Sequence, residues 1–164
     1  MRNIYVNILF LSTCTLITSL SYAGNHPFKK VETCQYDYNE VDFCSKTNIH
    51  KYQNALKTQQ PNFSHTYILL NIGDADYRTY TAIDTQTGNV YPLNFDIVGF
   101  SDENGQTIRP AKIQFNLKSS DLCIQGGIES YRNSYSNVAV CFAVIEEKPQ
   151  DLHFTWLDLP KQLD

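Results

Sequence analysis

The chain has 164 residues, 42% hydrophobic and 18% charged, with a formal net charge of −4 at pH 7. That length suits one domain with a single buried core. The acidic balance and scattered Lys and Arg exclude the basic stripe that nucleic-acid binding requires.

Met1–Ala23 reads as a secretory leader. Arg2 supplies the positive start, Ile4–Leu20 is mostly apolar, and Ser21-Tyr22-Ala23 is a small-x-small cleavage site. Cys14 falls within it. Cleavage would leave a chain starting at Gly24, without a second hydrophobic span, in the periplasm or secreted. The mature residues, 24–164, are expected to form one β-rich domain.

Residues 24–61 read as a polar, aromatic arm followed by a short helix. Ile49, Tyr52, Ala55 and Leu56 recur at helical spacing. Ser45 is placed to cap the helix, and Gln59-Gln60-Pro61 ends it. Residues 62–164 read as antiparallel sheet. Tyr67–Leu70 is an unbroken apolar run, the pattern of an internal strand buried on both faces. Turn-formers Asn71, Gly73, Asp74 and Asp76 interrupt it. Arg78–Asp84 then alternates Thr79, Thr81 and Ile83 against Tyr80 and Ala82.

A turn at Asp84–Gly88 returns the chain into Val90-Tyr91, with Pro92 expected to end that strand. Phe95–Phe100 is a further strand, Asn104-Gly105 a turn, and Ile108-Arg109-Pro110 a connection. Lys112–Lys118 alternates cleanly, with Ile113, Phe115 and Leu117 expected inward. Leu122–Gln125 is expected to stop or bulge at Gly126-Gly127, and Val138–Ile145 to be central. Leu152, Phe154 and Trp156 alternate in a last strand. The expectation is a mainly β fold: an antiparallel sandwich, small barrel or meander with one short N-terminal helix.

Four cysteines remain after the leader, and an even number in an exported chain reads as two disulfides. Three pairings are open, and the expected one is sequence-local: Cys34 with Cys44, and Cys123 with Cys141. The spacings are far too long for the Cys-x₂₋₄-Cys pairs of a zinc site.

Several stretches also carry a likeness. "AIDTQTGNVYPL" at Ala82–Leu93 is similar to a turn found in β-propeller blades, but a propeller needs repeated copies and this chain has one. Asn62-Phe63 followed by Tyr67, the Ala82–Leu93 hairpin and "IQFNLKSSDLCIQGGI" at Ile113–Ile128 resemble a family of small exported Gram-negative bacterial proteins with an "AIDxxTGxVYxL" motif. Where that family often has a Gly-Cys-Gly loop, this chain has Gly73-Asp74-Ala75-Asp76. The resemblance implies a fold and an export route, and no activity.

No Gly-x-Ser-x-Gly elbow, phosphate cradle or paired metal-ligand spacing occurs. His26, His50, His65 and His153 are isolated in sequence. Asp74 and Asp76 supply too few oxygens for a calcium loop and read as an acidic turn paired with Arg78. No metal or cofactor is expected. Glu129–Asn137 reads as a long loop. Within it, Tyr131, Arg132, Asn133, Tyr135 and Asn137 have the composition of a recognition surface, with stems tied by Cys123–Cys141. The function expected is therefore a non-catalytic binding protein that docks on an envelope or extracellular protein, as an inhibitor or immunity factor would. The competing reading is a periplasmic hydrolase whose site gathers Asp74, Asp76 and His65.

Overall fold

The computed structural model describes residues 30–34, 41–144 and 153–163. The leader, much of the arm, and Ile145 and Leu152 of the expected strands lie outside them. One helix and ten strands are present among the described residues. The helix, α1 (Lys46–Thr58), begins where Ser45 accepts the Asn48 N–H and buries Tyr52, Ala55 and Leu56. Its buried face packs on Ile68, Ile83 and Val90.

The main sheet holds β1 (Tyr67–Asn71), β2 (Arg78–Asp84), β3 (Val90–Val98), β7 (Asp121–Glu129), β8 (Ser134–Val144) and β10 (Lys161–Gln162), in that spatial order. Two short strands extend it: β6 (Lys112–Gln114) pairs with β7, and β9 (Phe154–Trp156) with β8. Every named pairing is antiparallel. The sheet curls around a second, larger core in which Phe95 meets Phe142 and Trp156, and Phe63 meets Phe115 and Phe154. Such aromatic pairs from distant strands close the curl.

The β2–β3 turn forms as its residues dictate. The Asp84 carboxylate accepts from the Gln86 N–H and the Thr87 hydroxyl, and Gly88 takes a positive φ of 75°. The described part of the arm docks on this turn: Glu32 N–H donates to the Gly88 carbonyl, and Val90 N–H to Thr33. Both sequence-local disulfides, Cys34–Cys44 and Cys123–Cys141, are formed.

Several expectations need correction. Tyr67, Ile68 and Leu69 are buried, but β1 is the sheet's first strand and not an internal one. Its sides are covered by α1 and the main core. Pro92 does not end β3, which continues to Val98. It opposes Thr81 at a register irregularity, and β7 takes up the far side of β3 only from Asp96, so the missing donor is tolerated. The strand expected over Lys112–Lys118 stops at Gln114, although Ile113 and Phe115 both pack on the core as expected. Asn116 intervenes, its side chain accepting from the N–H groups of Lys118 and Ser119, and Leu117 is left exposed. Gly126-Gly127 is a bulge inside β7, not its end. A Cβ at Gly126 would lie 2.7 Å from the Cβ of Ala111, because the chain crosses directly above it.

That crossing belongs to an inserted hairpin. After Val98 the chain leaves the sheet as β4 (Phe100–Ser101), turns at Asp102–Gln106 and returns as β5 (Thr107–Arg109) before β6 rejoins β7. The stretch expected to be a mere connection is thus part of a two-stranded flap. The Asp102 carboxylate accepts from the N–H groups of Asn104 and Gln106 to shape its tip.

Candidate functional site

The β7–β8 hairpin separates the five residues singled out for binding. The turn is shorter than expected, since β8 already begins at Ser134. Ser130 N–H donates to the Asn133 carbonyl at 2.8 Å and closes it. Tyr131, 70% exposed, stands at the tip with the Arg132 guanidinium 5.9 Å from its ring centroid. Tyr135 instead lies in β8 and meets Trp156 edge-on at 6.0 Å. Asn137, at φ 53°, turns its amide to Ser101 of the flap. Three candidates therefore share the tip, and the other two hold the structure beside it.

Cys123 and Cys141 face one another directly across β7 and β8. Six residues, about 20 Å of strand, separate that bridge from Glu129 at the start of the turn. It braces the foot of the ribbon, not the stem next to the tip.

A groove of ≈ 720 Å³ opens beside this hairpin. The β4–β5 flap forms one wall, with Ile108 and Arg109. Asp76, Tyr77 and Arg78 also line it, as do Gly127 and Glu129 of β7. Tyr77 and Ile108 are 56% and 64% exposed, large side chains left uncovered on one depression. Arg109 lies over the Phe100 ring, 3.7 Å from its centroid. Arg78 does not pair with the aspartates of the neighbouring turn. It donates from Nη2 to the Ala111 carbonyl at 3.1 Å, while its buried Nε finds no partner among the described residues.

The residues of the hydrolase reading are not brought together. His65 is exposed just before β1, whereas Asp74 and Asp76 follow its far end, and five residues of strand span about 17 Å. One Asp74 oxygen already accepts from the N–H groups of Asp76 and Tyr77, at 2.9 and 2.7 Å, so it shapes the turn. Among the described residues no three His, Cys, Asp or Glu side chains cluster to hold a metal. Nor is any described helix long and apolar enough to cross a membrane.

The groove escaped the sequence reading because no local pattern marks it. Its walls come from the Asp76–Arg78 stretch, the flap and the Gly127–Glu129 stretch, which meet only through sheet pairing and the path of the flap. The one available signal was Ile108, an apolar residue in a stretch otherwise read as a connection. No protein-family model, curated protein or solved structure matches the chain, so the surface is read from its own residues.

Proposed function

We propose that the chain is an exported, non-catalytic binding protein that docks on an envelope or extracellular protein, in the manner of an inhibitor or immunity factor. One observation carries this reading. Tyr131 and Arg132 project together from a two-stranded ribbon that is already ordered by strand pairing and braced by a disulfide. Large aromatic and guanidinium contacts presented on a preorganised turn lose little conformational freedom on binding. The leader-like first 23 residues and the two disulfides support an oxidising, exported setting.

Capture from an envelope extract on the immobilised oxidised chain tests the reading. A specific protein partner is expected. The Tyr131→Ala/Arg132→Ala double variant should hold it at least about tenfold more weakly, as loss of central aromatic and Arg anchors does. Undiminished capture by that variant would move the docking surface elsewhere.

A further inference from the structure

We propose that the groove between the β4–β5 flap and Arg78 is a second binding site, separate from the hairpin tip, which takes an extended peptide segment bearing one carboxylate.

Arg78 sets the charge of the ligand. It is half-buried, its Nε is closed off from groove and solvent alike, and among the described residues its guanidinium makes one hydrogen bond, to a neutral carbonyl. The remaining Nη donors are left for a ligand, and a carboxylate is the group whose two oxygens match the guanidinium fork. Asp76 and Glu129 also line the groove, but both are exposed and hydrated, so they weigh less than the shielded arginine. They still oppose a polyanion, which favours a single carboxylate over phosphate.

The flap sets the shape of the ligand. Its β4 edge is closed, because the Asn137 side chain bonds both the N–H and the carbonyl of Ser101. Its β5 edge is open: among the described residues β5 pairs with β4 alone. Ile108 has no opposite number in β4 and is bulged out. A strand edge without a partner can pair with an extended chain, and this one belongs to the groove's own wall; at three residues with a bulge at Ile108 it has room only for a short segment. Tyr77 and Ile108 would flank the carboxylate, so aliphatic neighbours on the peptide would cover them.

The test titrates the oxidised, ¹⁵N-labelled chain with a capped Ala-Val-Glu-Val-Ala pentapeptide, its Gln-for-Glu twin and inorganic phosphate. The Glu peptide should shift the amide signals of Tyr77, Ile108 and Gly127 in a saturable way. The Gln twin should bind about tenfold more weakly, the loss expected when a charge-assisted pair is removed. Arg78→Gln should weaken the Glu peptide to a similar degree. Ile108→Ser, on an exposed position that cannot endanger the core, should weaken both peptides. Absence of groove shifts with the Glu peptide, equal binding by the Gln twin, or equal shifts from phosphate alone would each overturn the proposal. Because Tyr131 and Arg132 are untouched, failure here leaves the hairpin-tip reading standing.

Discussion

Asn137 and Ser101, 36 residues apart, are joined by two hydrogen bonds between one side chain and one residue's backbone. Ser101 N–H donates to the Asn137 Oδ1 at 2.9 Å, and Asn137 Nδ2 donates to the Ser101 carbonyl at 2.8 Å. The amide thus stands in for a neighbouring strand. Asn62 does the same for Leu69 on β1, accepting from its N–H at 2.7 Å and donating to its carbonyl at 3.1 Å. Each asparagine occupies strand edge that would otherwise be free to pair with another chain.

Replacing Asn137 should loosen the flap. Asn137→Ala removes both bonds, at about 1 kcal/mol each, and leaves an alanine in the left-handed conformation, where φ is 53°. A loss of about 2–3 kcal/mol in denaturant unfolding is expected. Hydrogen exchange at the Ser101 amide should quicken by more than the global loss accounts for. Asn137→Asp should be no better than alanine, because a carboxylate oxygen would then face the Ser101 carbonyl.

Asn62 guards the outer edge of β1, so its loss should change association as well as stability. Asn62→Ala is expected to cost about 2 kcal/mol for the two bonds to Leu69. It should also make the sedimentation coefficient depend on concentration, as freed β1 edges pair. A variant that stays monomeric at the highest concentration tested would show that the Asn62 amide has only a local structural role.

What could be read from the sequence was whatever neighbouring residues decide among themselves. Ser45 caps α1, Asp84 and Gly88 shape the β2–β3 turn, and cysteines close in sequence pair with each other. The alternation of Lys112–Lys118 misled as to the strand's length because the Asn116 side chain captured two following N–H groups, a competition that periodicity does not register. Tyr135 and Asn137 looked like recognition residues by composition. Their roles depend on Trp156 and Ser101, which only the fold brings near. The groove failed to appear for the same reason: its arginine and its open strand edge meet through the path of an inserted hairpin.

The two disulfides should differ in what they support. Each closes a short segment, with separations of 10 and 18 residues, so loop entropy assigns both about 3 kcal/mol. Cys123→Ala/Cys141→Ala, however, removes the brace from the ribbon that carries Tyr131. Urea unfolding should show a similar loss for each double variant, while the Cys123/Cys141 pair alone should raise exchange along β7 and β8. Thiol titration of the unfolded chain lacking its first 23 residues should find no free sulfhydryl before reduction.

The pH dependence follows from Tyr52. Its side chain is wholly buried and its hydroxyl donates to the Phe43 carbonyl at 2.9 Å. Burial raises its pKa far above the ordinary 10.0, and the nearby Asp42 carboxylate adds to the rise. The unfolded chain, with the ordinary value, releases this proton from about pH 10 upward, while the folded chain keeps it. Fewer protons bound in the unfolded state means that stability falls as pH rises, by up to about 1.4 kcal/mol per unit above that point. Below pH 10 the contribution is fully present. The diagnostic quantity is a difference, because it cancels every contribution that the two chains share. The gap in unfolding free energy between the native chain and Tyr52→Phe should be constant from pH 7 to 9. It should then narrow steadily above pH 10, because phenylalanine has no proton for the unfolded chain to lose. A gap that stays constant to pH 11 would mean that Tyr52 ionises as readily inside the fold as outside it.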